Sequence, residues 1–178
     1  RTLARLHNVG SMKIATSRFE LTTETFGLQN MKQLVRSGHL PPHYQSPYQS
    51  IVEKICQVAE PLFDPKSFIR THGDCHWGNI IWRSESEFYF IDFDDMLNAP
   101  AVQDLWLILP SSAHEDLYKR ELFIEAYEQL RVFPRSQLKL IEALRALRFI
   151  HFHSWIAQRW EDPAFTNAFI DFGTEQYW

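Results

Sequence analysis

The spacing of apolar residues changes character once along this chain, between residues 68 and 95, and that change constrains the fold more than any other feature. On both sides of it, apolar side chains recur at helical intervals. Inside it, "SFIRTH" is short and β-branched, and "NIIW" and "FYFID" are apolar runs separated by the polar turn "RSESE". Two short apolar runs joined by a polar turn read as a β-hairpin. The fold class expected is therefore α+β, mainly helical, with one small β-hairpin insert. Its polar residues fall on the loops, where chemistry is usually carried.

The flanking stretches supply the helices. In "LARLHNVG", Leu3, Leu6 and Val9 make a short stripe that stops at Gly10. Residues 11–21 read as a polar linker. "TETFGLQNMKQLVRSG" reads as a helix ending at Gly38, and "LPPHYQSP" as a break. "YQSIVEKICQVAEPLF" follows as a helix with Ile51, Ile55, Val58 and Leu62 facing inward. Pro100 opens "PAVQDLWLIL", as Pro does in a first helical turn, and "EDLYKRELFIEAYEQL" is a further helix. In "SQLKLIEALRALRFIHFHSWIAQRW", Ser136 is the N-cap candidate, and Leu140, Leu144, Leu147, His151 and Trp155 recur four, three, four and four residues apart. "AFTNAFIDFGTEQYW" reads as a last helix.

A chain of 178 residues with 45% hydrophobic side chains can build a real core and is not disordered. The 14 Phe and 6 Trp make that core bulky and aromatic. A net charge of -4 argues against bulk nucleic-acid or anionic-membrane partners. Cys56 and Cys75 form no disulfide framework, which suits a reducing cytoplasm. No signal peptide or membrane-spanning run is visible. The chain opens in a helix without an initiator Met, as the second part of a longer protein would.

The insert gathers His72, Asp74, His76, Asn79 and Asp92, followed by Asp94, Asp95 and Asp104. Two chemistries could use such a set. A metal-dependent hydrolase could be built on His72-x-Asp74-x-His76, but it would want further ligands. The histidines available for that are His114, His151 and His153, the last two in a helix whose register suits packing or solvent. A phosphotransferase needs a carboxylate to take the proton of an attacking hydroxyl, and oxygen ligands for a magnesium ion on the phosphates. Asp74 supplies the first. Asn79, five residues on, and Asp92, at the end of "FYFI", supply the second if the hairpin brings them together.

"HGDCHWGNI" followed by "IDFDD", with "LARLHNVG" and "PAVQDLW" around them, resembles the aminoglycoside phosphotransferase and choline kinase family, which shares the protein-kinase fold. The likeness runs over the whole chain, and within the family it leans to bacterial Ser/Thr protein kinases. It implies Asp74 as catalytic base, Asn79 and Asp92 as magnesium ligands, and ATP as co-substrate. The acceptor it implies is a protein Ser/Thr hydroxyl. A small-molecule hydroxyl of the choline, aminoglycoside or homoserine type is the alternative. His72 maps to a residue that packs and hydrogen-bonds beneath the loop, and Asp104 to an acid that ties down the loop backbone; His76 is expected to orient the loop. Asp94 and Asp95 are either further metal or substrate contacts or plain loop carboxylates.

Two departures qualify the likeness. Where protein kinases carry His-Arg-Asp, the middle residue here is Gly73, so control through a phosphorylated activation loop is not expected. The 6 glycines form no G-x-G-x-x-G, and no Lys-bearing strand precedes the motif. Residues 1–178 are therefore expected to be a single kinase-like C-terminal lobe, with the nucleotide-binding lobe absent. A non-catalytic kinase-like interaction module is the rival reading. It gains weight from that absence and loses it because Asp74, Asn79 and Asp92 are all intact.

Overall fold

The computed structural model describes residues 1–84, 87–109 and 114–178, leaving aside the side chains of residues 114–116. Seven helices run along the described residues: α1 (Thr2–Gly10), α2 (Gln29–Ser37), α3 (Pro42–Ala59), α4 (Val102–Ile108), α5 (His114–Glu128), α6 (Ile141–Gln158) and α7 (Pro163–Ala168). Four short strands lie between α3 and α4: β1 (Ile69–Thr71), β2 (Ile80–Ser84), β3 (Glu87–Phe90) and β4 (Leu97–Ala99). The mainly helical α+β class holds. The middle of the "RSESE" turn and the side chain of His114 fall outside the described residues.

The chain divides into two compact units, Arg1–Leu21 with Phe63–Ile141, and Thr22–Leu62 with Glu142–Trp178. The first unit carries all four strands. β2 and β3 form the hairpin, with Ile80 opposite Phe90, Ile81 opposite Tyr89 and Trp82 opposite Phe88. β1 and β4 form a second antiparallel pair, Ile69 with Ala99 and Thr71 with Leu97. The linker is not wholly irregular, since Glu20 forms a parallel bridge to Asn98 of β4.

Alternation along the hairpin gives it two apolar faces. Ile80, Trp82, Phe88 and Phe90 line a cavity of about 210 Å³ together with Leu3, Ile108 and Phe123. On the other face Ile81, Tyr89 and Ile91 are exposed, at 51%, 47% and 39%. α4 is buried along its whole length, from Val102 to Ile108.

The second unit packs Leu34, Leu40, Ile156, Ala157 and Phe172 together, with Tyr48, Trp155, Trp160, Tyr177 and Trp178 against them. Several local expectations are corrected here. α3 starts at Pro42, not after the prolines, because a first-turn Pro presets helical φ; Pro47 is carried inside the helix. Its buried stripe is Val52, Cys56 and Ala59, one residue on from the expected one, while Ile51 and Val58 face solvent. The smaller residues let the π-helical turn Thr23–Leu28 approach, and Cys56 Sγ donates to Thr23 O at 3.6 Å.

Ser136 is not a cap. It lies inside a 3₁₀ turn, Arg135–Leu140, and α6 begins at Ile141. Leu140, Leu144 and Leu147 are buried, but the stripe then passes to Ile150, Ser154 and Ile156 and leaves His151 and Trp155 half-buried. The last helix is only α7, capped by Asp162 on Ala164 N at 2.9 Å, and turns follow it.

Candidate active site

The loop between β1 and β2 is anchored from α4. Asp104 is completely buried, and its carboxylate accepts from His72 N at 2.8 Å and from Gly73 N at 3.0 Å. The neighbouring Gln103 donates through Nε2 to Gly73 O at 2.9 Å and is itself steadied by Trp106 Nε1 at 3.1 Å. Two consecutive residues thus hold both the donor and the acceptor edge of the loop backbone. Buried amides need such partners.

A third donor reaches Asp104 from α1, His7 Nε2 at 2.9 Å, and the other ring nitrogen of His7 meets Tyr127 OH at 2.8 Å. A carboxylate only accepts, so Nε2 carries the proton. In the neutral imidazole Nδ1 then accepts from the Tyr127 hydroxyl. Burial, ahead of the nearby Asp104 charge, pushes the Tyr127 hydroxyl up to about 12, so it remains a donor. His7, Gln103 and Tyr127 were missed as site residues in the sequence. The only trace of them was the histidine of "LARLH" and the pairing of Gln103 with Asp104 in "PAVQDLW".

Gly73 has φ 87°, and a Cβ there would collide with the carbonyl of Asp95. An L side chain at this position is excluded twice, by backbone conformation and by space. That is the local reason for Gly where protein kinases have Arg.

His72 is fully buried. Its Nε2 donates to Ile91 O at 2.8 Å, and its ring lies against Phe93 with centroids 4.6 Å apart. It therefore ties the loop to the end of the hairpin, next to Asp92. Asp92 sits at φ 61°, an uncommon conformation for a non-glycine residue and one that clusters at functional sites.

Asn79 and Asp92 are joined through the hairpin mouth, where Ile91 N donates to Asn79 O at 3.0 Å. Asn79 Nδ2 donates to Asp74 O at 2.9 Å and reaches Asp74 Oδ2 at 3.4 Å. This turns the amide oxygen the other way, and it accepts no hydrogen bond among the described residues. The exposed Asp92 carboxylate likewise has no partner among them. One amide oxygen and one carboxylate, both unspent, suit a hard divalent cation such as Mg²⁺.

His76 lies beside Asp74, with Nε2 3.2 Å from Asp74 Oδ2. Asp94 and Asp95 are exposed, and Arg18 donates to Asp94 O at 2.6 Å. Cys75 is buried, and its thiol is pushed up by burial first, then by the Asp104 and Asp74 charges, so it stays protonated. Among the described residues no three or more His, Cys, Asp or Glu are grouped to hold a metal. The His72-x-Asp74-x-His76 hydrolase reading therefore finds no such cluster among the described residues.

The loop, hairpin and anchoring helix belong to a kinase-like fold. Residues 1–150 match the APH phosphotransferase enzyme family, and the chain belongs to it. Over the entire chain it is 34% identical to stress response kinase A of Escherichia coli, of which it covers 54%. It is equally 34% identical, over 54% of that protein, to serine/threonine protein kinase RdoA of Salmonella typhimurium. The chain thus spans about half the length of the curated relatives it matches. Spectinomycin phosphotransferase, solved with ADP and spectinomycin, has the same fold: TM-score 0.56 and 17% identity over 88% of this chain and 52% of that one. So does amicoumacin kinase in complex with AMP-PNP and Ca²⁺, with TM-score 0.57 and 16% identity over 97% of this chain and 55% of that one.

Proposed function

We propose that this chain is the catalytic portion of an ATP-dependent phosphotransferase that phosphorylates an alcohol hydroxyl, with a protein Ser or Thr as acceptor. One observation carries the reading: Asp74, Asn79 and Asp92 are supplied by one loop and one hairpin mouth, clamped from beneath by Asp104 and Gln103. Asp74 orients the acceptor hydroxyl and takes its proton as the oxygen attacks the γ-phosphorus and ADP leaves. Asn79 and Asp92 would hold the magnesium ion, which neutralises charge on the transferring phosphates. His72 keeps Asp92 in register with Asp74, because its ring bonds the residue just before Asp92.

The exposed Ile81, Tyr89 and Ile91 lie on the hairpin face opposite the cavity, and Ile91 immediately precedes Asp92. An exposed apolar face in that place suits a nucleotide base with its phosphates directed to the metal ligands. It also suits a nucleotide-binding lobe outside this chain, which is in keeping with relatives about twice as long. The protein acceptor rests on relatives that include a serine/threonine protein kinase. The second reading, a small-molecule hydroxyl, is favoured by fold neighbours that are a spectinomycin phosphotransferase and an amicoumacin kinase.

The test is a set of substitutions in the full-length protein. Asp74→Asn should lower turnover by about 10²–10⁴-fold and leave Mg-ATP affinity nearly intact, the usual cost of losing a positioned base. Asp92→Ala should weaken Mg-ATP binding as well as turnover, partly rescued by raised Mg²⁺, and Asn79→Ala should do the same more weakly. Equal loss of nucleotide affinity in Asp74→Asn and Asp92→Ala would refute this division of roles.

A further inference from the structure

His76 carries a constraint that its neighbours impose. Its Nδ1 accepts the backbone N–H of Gly78 at 3.0 Å. A backbone amide only donates, so Nδ1 bears no proton, and the proton of the neutral ring resides on Nε2. That Nε2 is the atom 3.2 Å from Asp74 Oδ2. The polarity of this close pair is therefore set, with a protonated Nε2 beside a carboxylate oxygen. Asn79 Nδ2 approaches the same Oδ2, at 3.4 Å. The imidazole edge and the Asn79 amide thus both lie against one oxygen of the carboxylate, from either end of the loop turn.

The arrangement also explains residue 78. A Cβ at Gly78 would lie 2.8 Å from His76 Cε1 and 3.0 Å from Nδ1, so a side chain there would drive the ring off. The His76 side chain is 42% exposed and that of Asp74 20%, so the pair borders solvent where an acceptor would enter.

We infer that His76 is a positioning residue for phosphoryl transfer: Gly78 N–H locks its Nε2–H tautomer, and that N–H aims the Asp74 carboxylate at the acceptor hydroxyl. The inference rests on the proposed role of Asp74 as base. Misaiming a reacting group by about 1 Å costs about 100-fold in rate. Loss of the imidazole from beside the carboxylate is therefore expected to cost about 10- to 100-fold in turnover.

Two substitutions separate aiming from loop support. In His76→Asn the side-chain oxygen replaces Nδ1 and still caps Gly78 N–H, as Asn does well, but no donor reaches Asp74. In His76→Gln the side-chain amide reaches the Nε2 position and restores the donor, while the cap is lost. The readout is ADP release from ATP by the full-length protein, with casein as a Ser/Thr-bearing acceptor, together with Mg-ATP affinity. His76→Asn should keep nucleotide affinity and lose about 10- to 100-fold in turnover. His76→Gln should recover turnover to within a few-fold of wild type. In an Asp74→Asn background, His76→Asn should add almost nothing, because the two act as a unit.

Full turnover in His76→Asn, or equal impairment in His76→Gln, overturns the inference and leaves the role of Asp74 standing. An active Asp74→Asn variant, or a wild type that releases no ADP, overturns the proposed function and this inference with it.

Discussion

Replacing Asp104 tests the anchoring of the loop directly. Its two oxygens take three donors in a fully buried setting: His72 N–H, Gly73 N–H and His7 Nε2–H. Asp104→Ala leaves all three without a partner. Each buried donor so stranded costs about 1–3 kcal/mol. Removing one partner of a buried charged network typically costs about 3–5 kcal/mol, and we expect a value in that range. Asp104→Asn is the sharper variant. Its oxygen can stand in for Oδ2 and keep His72 N–H and His7, but its NH₂ then faces Gly73 N–H. In the flipped orientation His7 can change tautomer and accept, with Tyr127 OH accepting in turn, but His72 N–H is lost. Either way one backbone donor is stranded, so the cost is about 1–3 kcal/mol.

Urea unfolding at constant slope, with slopes of about 1–3 kcal/mol/M, resolves the two variants. Amide hydrogen exchange gives the local answer: protection at Gly73 or His72 should fall about tenfold for each 1.4 kcal/mol lost. An Asn variant as unstable as the Ala variant, or both within about 0.5 kcal/mol of wild type, would show that Asp104 does not hold the loop in this way.

Tyr127→Phe strands His7 Nδ1 in a buried site and should cost about 1–2 kcal/mol, read as a lower Tm with Mg-ATP affinity unchanged. Gly73→Ala places a side chain at φ 87° against the Asp95 carbonyl. It should cost about 1–3 kcal/mol in stability, and turnover should fall more than nucleotide affinity. Burial among Tyr48, Tyr177 and Trp178 lowers His153 from 6.5 to about 4. The unfolded chain therefore binds a proton first as pH falls. Stability should be full above pH 6.5, decline between 6.5 and 4, and level off below. The loss is about 2–3 kcal/mol after allowance for partial exposure. His153→Phe should flatten that slope in urea titrations at several pH values.

Much of the candidate site was legible because its parts are close in sequence. Asp74 and Asn79 share one loop, and strand alternation in "NIIW" and "FYFI" is enough to pair the runs and bring Asn79 to the residue before Asp92. Helix existence was equally legible. Helix faces and ends were not, as α3 shows: Ile51 and Val58 are the more apolar choices, yet Val52 and Cys56 are buried, because a neighbouring turn needed small side chains to approach.

The sequence alone determined the local chemistry: which carboxylate and amide stand at the loop, that they follow a β-branched run, and that a hairpin returns Asp92 to them. Only the tertiary structure decided what holds that loop still. His7 reaches Asp104 across 97 residues and Tyr127 across 120, and no periodicity couples positions so far apart. The direction of the His76 contact was also decided in three dimensions, by a backbone N–H that must donate and a glycine that leaves room for the ring. The physical reason is common to both. Spacing along the chain specifies which groups can be neighbours, whereas the partner of a buried donor is settled by which acceptors the packed core brings within 3 Å of it.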